Sequence, residues 1–195
     1  MGYLEKLKQR LKAYSKKHGR PYNQVLQALL LERAMVRLAQ EPKLQGHLTF
    51  KGGMVSARCY GSSRQTIDID AVMKDISLDV GIEFAKSAMA RDLEDISWFV
   101  FDAQIELVTQ NEYGGVRLQY RAGLGDSPPA SIGRSMIVNI DIGVGDPITP
   151  GPVPHVVNAI VHDEDISWSV YPPETIFSEK IHSMVANGDR NSRAC

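Results

Sequence analysis

The second half of the chain carries five β-favouring runs in succession, with almost no helical periodicity between them. These runs are rich in β-branched and aromatic residues, and they span residues 96–109, 115–122, 134–143, 154–162 and 166–171. Parallel strands need a long crossover between them, usually a helix, whereas antiparallel strands can be joined by short turns. The succession therefore argues against a purely parallel, doubly wound sheet.

The first half of the chain mixes helical and strand patterns. Apolar residues at helical spacing predict an amphipathic helix over 3–14 and a second helix over 22–40, with Gly19 and Pro21 at the break between them. Further elements follow, namely strands at 47–50 and 66–73 and helices at 51–61, 77–91 and 172–188.

These patterns together predict an α+β fold, in which helices pack on a mixed β-sheet. The chain has 195 residues, of which 43% are hydrophobic, and this suits one domain with a sizeable core. Residues 1–45 are predicted to form an N-terminal helical element, and residues 46–195 to form the core of the protein.

Positive charge is concentrated at the start of the chain. Residues 1–20 hold seven lysines and arginines against one acidic residue, although the whole chain has a net charge of −1. Such a run is either a solvated helix face or a surface that attracts nucleic acid. The sequence leaves both interpretations open.

The cysteine content and the apolar runs bear on where the protein resides. Two cysteines, Cys59 and Cys195, are too few for a disulfide framework. The N-terminus lacks the apolar stretch of a signal peptide, and no apolar run reaches the about 20 residues that a membrane helix needs. These features predict a cytoplasmic protein that does not enter the membrane.

The segment RQTIDID, residues 64–70, contains two acidic residues on a predicted strand. Residues i and i+2 of a strand point to the same side, so the Asp68 and Asp70 side chains are expected about 7 Å apart on one face. Ile67 and Ile69 then point to the opposite side, towards the core. The pair is either the solvated face of a strand or half of a site for a hard cation such as Mg²⁺.

A pair of glycines, Gly52 and Gly53, lies about 15 residues before these acids, between a predicted strand and a predicted helix. A glycine turn lets the backbone come close to a phosphate, and the N-terminus of the following helix favours an anion. An ordinary turn is the alternative for the glycines alone. The order strand, Gly-Gly, helix, strand, Asp-x-Asp is more specific, because it places a phosphate cradle beside a pair of metal-binding carboxylates.

The segment FKGGMVSARCYGSSRQTIDIDAVM, residues 50–73, resembles the first motif of the AbiEii/AbiGii toxin family, within the polymerase-β-like nucleotidyltransferase superfamily. That motif is a Gly-Gly turn and helix followed by R-x-[ST]-x-D-[IL]-D. The matching positions are Gly52, Gly53, Arg64, Thr66, Asp68 and Asp70. Later segments are also similar to the family: MIVNIDIGVGD offers Asp141, and PPETIFSEKIHSMVANGDRNSR offers Glu179 and Lys180.

The resemblance implies a nucleotidyltransferase that moves a nucleoside monophosphate from a nucleoside triphosphate to an acceptor such as a tRNA or a protein. It implies metal ligands for Mg²⁺ or Mn²⁺ at Asp68, Asp70 and Asp141, and it adds Lys180 to these three as catalytic residues. It implies nucleotide-binding roles for Gly52, Gly53, Arg64, Thr66 and Glu179. It further implies that the protein is the toxin of an abortive-infection type toxin–antitoxin system, with an antitoxin protein as its partner.

Two other functions stay open from the sequence. The family pattern continues beyond Ser-Arg into an aspartate-containing segment, whereas this sequence ends at SRAC, residues 192–195. The chain is thus alternatively a non-catalytic remnant that binds nucleotide or an antitoxin. A third possibility is a module that binds RNA or a protein partner through its basic N-terminal helix.

Overall fold

A computed structural model of the chain describes residues 2–63, 65–107, 114–144 and 148–187. Within these ranges the chain forms five helices and seven strands. The helices are α1 (Tyr3–His18), α2 (Tyr22–Ala39), α3 (Gly52–Cys59), α4 (Leu78–Met89) and α5 (Pro173–Asn187). The strands are β1 (Leu48–Lys51), β2 (Asp68–Met73), β3 (Ser97–Leu107), β4 (Gly115–Leu124), β5 (Met136–Val144), β6 (Val153–Asn158) and β7 (Asp165–Val170).

The seven strands form one mixed sheet in the order β3-β4-β5-β2-β1-β7-β6. Two neighbouring pairs are parallel, β2 with β5 and β1 with β7. The other four pairs are antiparallel, and each joins consecutive strands, namely β1 with β2, β3 with β4, β4 with β5, and β6 with β7. The predicted α+β fold with a mixed sheet is therefore confirmed.

The central strands are apolar on one face and polar on the other. On β5, Val138, Ile140 and Ile142 are fully buried, while the residues between them are only half-buried. Strand β4 has the same alternation, with Leu118 and Tyr120 among its buried residues. Because side chains alternate across a strand, this pattern directs one sheet face into the core and leaves the other face polar.

The helix α2 packs against the main core. Its second half contributes buried residues such as Leu31, Met35 and Leu38 to the same cluster as the central strands. A smaller cluster joins Leu7 and Leu11 of α1 to the first half of α2 and to the turn between β6 and β7. The division of the chain at residue 45 stays a prediction.

Buried charged residues of α2 are paired with the segments that the helix covers. Arg37 donates two hydrogen bonds of 2.9 Å to the Asp95 carboxylate, and both side chains are at most 5% exposed. Burial raises the pKa of Asp95, but the Arg37 hydrogen bonds and charge, helped by Ser97 and Arg33, outweigh this effect, and the net pKa lies below its usual range. The pair therefore holds α2 to the start of β3 as an ionised pair.

The strand predicted over 66–73 begins at Asp68. The Thr66 hydroxyl donates to the Asp68 carboxylate, and its contact with the Asp68 carbonyl oxygen is 3.3 Å, so a side-chain turn precedes the strand. Ile67 consequently is 70% exposed, and the prediction that it anchors the core is wrong, whereas Ile69 is fully buried as expected.

Among the helices that the structure describes, no helix is both long enough and apolar enough to cross a membrane.

Candidate active site

Four charged residues lie side by side across the polar face of the sheet. Asp70 on β2 is the register partner of Lys51 on β1 and of Asp141 on β5, and Asp141 is in turn the partner of Arg117 on β4. Register partners point to the same face of a sheet. Lys51, Asp70, Asp141 and Arg117 therefore form a charged row, in which two carboxylates lie between two cations, and all four residues are half-buried.

A second row of polar residues runs beside the first. Asp68 is the register partner of Asn139, and Asn139 is the partner of Gln119. The Gln119 Nε2 atom donates a 3.0 Å hydrogen bond to the Asn139 Oδ1 atom. The Thr66 Oγ1 atom donates a 2.8 Å hydrogen bond to the Asp68 Oδ1 atom. The predicted pair of acids thus lies on one face, as its spacing indicates, and Thr66 fixes one of its oxygens.

The glycine pair lies directly against the acids. Strand β1 passes into α3 without an intervening residue, and this sharp turn requires a φ angle of +71° at Gly52, which glycine adopts readily. A β-carbon on Gly52 would lie 1.9 Å from the Asp70 Oδ2 atom, and one on Gly53 would lie 2.8 Å from the Thr66 side chain. Glycine is therefore required at both positions. The two glycines form the first residues of α3, and their backbone amides lie beside the carboxylates.

Arg117 holds Asp141 with two parallel hydrogen bonds. Its Nε and Nη2 atoms each donate a bond of 2.7 Å to one oxygen of the Asp141 carboxylate. The hydrogen bond to Asp141 raises the pKa of Arg117, burial opposes this effect, and the charges of Asp141, Asp68 and Asp70 raise the pKa further. The Arg117 guanidinium thus interacts electrostatically with all three predicted metal ligands.

The predicted residues of α5 take different positions. The Glu179 carboxylate accepts a 2.8 Å hydrogen bond from the Lys51 Nζ atom, so α5 is tied to one end of the charged row. The ammonium group of Lys51 also lies 5.3 Å from the centre of the Tyr171 ring. Lys180 is exposed, and it has no ion-pair partner among the residues that the structure describes. Arg64 lies outside the described residues.

The donor set suits a hard divalent cation. Asp68 and Asp70 supply carboxylate oxygens from one strand face, and such oxygens are the ligands that Mg²⁺ and Mn²⁺ prefer. A side chain at Gly52 would collide with the Asp70 carboxylate, so the glycine allows this carboxylate to lie against the turn before α3. Asp141, however, is paired with Arg117, and within the described ranges no three acidic, histidine or cysteine residues are grouped closely enough to hold a metal ion.

Sequence reasoning missed Arg117 and Lys51 as neighbours of the acids. Arg117, Gln119 and Arg121 alternate with Val116, Leu118 and Tyr120 along β4. This alternation was the available signal, since it marks a strand with one polar face. It does not by itself separate a site from a solvated surface.

Comparisons with known proteins identify the family. A family model described as "Nucleotidyl transferase AbiEii toxin, Type IV TA system" matches residues 33–194. No curated protein sequence matches the chain significantly.

The solved structure of MenT4 shares the fold of the chain. MenT4, a nucleotidyltransferase toxin from Mycobacterium tuberculosis H37Rv, aligns with 89% of this chain at 13% identity and a TM-score of 0.62. JHP933 from Helicobacter pylori aligns with 83% of this chain at 16% identity and a TM-score of 0.46. The chain spans 58% of the MenT4 chain and 56% of the JHP933 chain. Since the family model covers most of the sequence, the chain belongs to the AbiEii nucleotidyltransferase toxin family of type IV toxin–antitoxin systems.

Proposed function

We propose that this chain transfers a nucleoside monophosphate from a nucleoside triphosphate to an acceptor, and that it requires Mg²⁺ or Mn²⁺ to do so. The observation that carries the proposal is the placement of Asp68, Asp70 and Asp141 on one sheet face beside the Gly52–Gly53 turn. In the transfer, an acceptor oxygen forms a bond to the α-phosphorus while the bond to the β-phosphate breaks, and pyrophosphate leaves. MenT4, which shares the fold, is itself a nucleotidyltransferase toxin.

The strand β2 and the turn before α3 form the nucleotide side of the site. Asp68 and Asp70 would hold the cation, and Thr66 fixes the Asp68 carboxylate through its hydroxyl. The amides of Gly52 and Gly53 would bind the triphosphate at the N-terminus of α3. When bound, Mg²⁺ or Mn²⁺ neutralises phosphate charge and orients the phosphates.

The remaining predicted residues would bind the cation, the phosphate oxygens or the acceptor hydroxyl. Asp141 would complete the ligands of the cation or accept the proton of the acceptor hydroxyl. Lys180 and Arg64 would bind phosphate oxygens, since cations placed around a transferring phosphoryl group stabilise its charge. Glu179 contributes by holding Lys51 at the end of the charged row.

The acceptor is proposed to be RNA, such as a tRNA, with a protein as the alternative. The lysines and arginines of α1 lie on its exposed or half-buried surface, which suits a phosphate backbone. The Gln65 side chain donates a 2.6 Å hydrogen bond to Gln24 near the start of α2, so the α1–α2 hairpin adjoins the loop that precedes Asp68. An RNA on the hairpin would thus pass close to the carboxylates.

Two further parts of the proposal concern the cell. We place the protein in the cytoplasm, where nucleoside triphosphates and tRNA are available to it. An antitoxin encoded with it would be its protein partner, as in the type IV systems of the family.

The decisive experiment incubates the purified protein with labelled nucleoside triphosphates, Mg²⁺ or Mn²⁺ and total tRNA. We expect incorporation of label by the wild type and its loss in Asp70→Asn. Asp102→Asn is the matched control, because Asp102 is a partly exposed carboxylate on β3 that pairs with Arg121 on β4. Equal labelling by wild type and Asp70→Asn contradicts the proposal, and metal-dependent nucleotide binding without transfer supports the non-catalytic alternative.

A further inference from the structure

The ion pair between Arg117 and Asp141 differs in its exposure from the bidentate pair between Arg37 and Asp95. Both oxygens of Asp141 accept hydrogen bonds of 2.7 Å from one guanidinium, the bidentate geometry that makes arginine–carboxylate pairs strong. The Arg117 side chain is nevertheless 32% exposed and that of Asp141 is 18% exposed, whereas the Arg37–Asp95 pair is buried. A buried pair holds elements together, but a partly exposed pair on a polar sheet face is accessible to ligands.

The position of Arg117 brings it into competition with a cation. Its partner Asp141 is also the register partner of Asp70. The Arg117 guanidinium and a metal ion bound to Asp70 would therefore compete for the Asp141 carboxylate. A unit positive charge a few ångströms away opposes binding of a second cation. The carboxylate oxygens of Asp141 are moreover already oriented towards Arg117.

A nucleotide offers Arg117 a second partner. Phosphate groups accept bidentate hydrogen bonds from a guanidinium with the same geometry as a carboxylate. If the nucleotide is bound beside Asp70, its phosphates lie on the face that carries Arg117. If Arg117 exchanges the Asp141 carboxylate for a nucleotide phosphate, Arg117 keeps an anionic partner. Asp141 is then free to bind the metal ion, so neither side chain is left with an unpaired charge.

We propose that Arg117 is a positioning residue that withholds Asp141 from the metal in the resting protein and releases it when nucleotide phosphate binds. This inference rests on the proposed function, because it assumes that a divalent cation binds at Asp68 and Asp70. In the resting protein Arg117 acts as the counter-cation of the acidic cluster. The third carboxylate then joins the site only together with the substrate, so that metal and nucleotide bind cooperatively.

The test measures Mn²⁺ affinity in the absence of turnover, by titration calorimetry with and without a non-hydrolysable nucleoside triphosphate analogue. Without nucleotide, we expect Arg117→Gln to bind Mn²⁺ about tenfold more tightly than the wild type, because a nearby positive charge is removed. The analogue is expected to increase the Mn²⁺ affinity of the wild type more than that of Arg117→Gln. Adding Asp141→Asn to Arg117→Gln should abolish the gain.

Arg121→Gln is the matched control, since Arg121 lies on the same face of β4 and pairs with Asp102 on β3. It should bind Mn²⁺ as the wild type does. If Arg117→Gln does not fold, as judged by circular dichroism, Arg117→Lys replaces it. That variant keeps the charge but cannot form the bidentate pair, so its Mn²⁺ affinity without nucleotide should exceed that of the wild type.

Failure of the inference and failure of the proposed function give different results. If Asp70→Asn abolishes Mn²⁺ binding but the Arg117 variants bind Mn²⁺ no more tightly than the wild type, Arg117 does not withhold Asp141 and the inference is overturned. If Asp70→Asn leaves Mn²⁺ binding unchanged, the metal site itself is absent and the proposed function fails with it.

Discussion

Gly52 and Asp70 are packed against each other so closely that a β-carbon on Gly52 would lie 1.9 Å from the Asp70 Oδ2 atom. The contact joins the turn between β1 and α3 to the second acid of the Asp-x-Asp pair. The absence of a side chain at Gly52 therefore determines where the Asp70 carboxylate can lie, in addition to allowing the turn.

Replacement of Gly52 by alanine should abolish nucleotidyl transfer. The new methyl group displaces the Asp70 carboxylate, and the φ angle of +71° adds backbone strain of about 1–2 kcal/mol. Gly61→Ala is a matched control, because Gly61 has the same φ angle but no neighbouring atom within 4 Å of a β-carbon. We expect both variants to lose stability in urea unfolding, but only Gly52→Ala to lose transfer. Equal activity of the two variants would show that the contact with Asp70 does not matter.

Thr66 should matter through its hydroxyl group. Thr66→Val keeps the shape of the side chain but removes the 2.8 Å hydrogen bond to the Asp68 Oδ1 atom. Loss of such a supporting bond typically weakens a metal site about 10- to 100-fold, and we expect a loss of Mn²⁺ affinity in this range. Thr66→Ser retains the hydroxyl and should bind Mn²⁺ nearly as tightly as the wild type. An undiminished affinity in Thr66→Val would rule out this role.

The Arg37–Asp95 pair should make the stability of the protein depend on pH. The pKa of Asp95 is lower in the folded protein than in the unfolded chain, so ionised Asp95 stabilises the fold above the unfolded pKa of about 3.9. This stabilisation is lost as the pH falls through the lower, folded pKa. Asp95→Asn leaves Arg37 buried without its charged partner and should cost about 3–5 kcal/mol at pH 7.

Urea unfolding of both proteins between pH 7 and pH 2 measures this effect. The difference between the wild type and Asp95→Asn should narrow as the pH falls below about 4. Asp163→Asn is a suitable control, because Asp163 pairs with Arg10 at the surface and its side chain is 86% exposed. That substitution should change the free energy of unfolding little at any pH. A difference for Asp95→Asn that is constant with pH would contradict the role of the ionised pair.

Cys59 should react slowly with thiol reagents in the folded protein. Burial raises the pKa of its thiol to about 11, although the charge of Arg58 partly opposes this effect. Only the thiolate is nucleophilic, so alkylation by iodoacetamide at pH 8 should be slow. In a Cys195→Ser variant, the rate at Cys59 should rise several-fold or more on unfolding in urea. Equal rates in the folded and unfolded states would disprove the shift.

The fold could be predicted because its signals are local. The alternation of buried and half-buried residues along β4 and β5 is visible in the sequence, and each strand needs only its own residues to show it. The glycine turn and the Asp68–Asp70 spacing are local in the same way, and Ile69 occupies the core as that spacing predicts. Ile67 does not, because the hydroxyl of Thr66 begins a turn that periodicity alone does not reveal.

The composition of the charged row could not be predicted in this way. Which residues lie in the row depends on the register between β1, β2, β5 and β4, and register is a property of the assembled sheet. Arg117 in the sequence resembles any arginine on a solvated strand face. Its bidentate contact with Asp141 emerges only when β4 and β5 are paired with those two residues opposite each other.

The register of β2 and β5 also has a consequence for the order in which the proposed site assembles. Asp70 and Asp141 are partners in a parallel pair, and the segment containing α4, β3 and β4 separates them in the chain. A slip of β5 by one residue would place Ile140 or Ile142 where Asp141 lies and turn Asp141 towards the core, and a slip of β2 would likewise place Ile69 or Ala71 where Asp70 lies. The proposed site can therefore assemble only after β5 has been synthesised and has paired with β2 in the correct alignment.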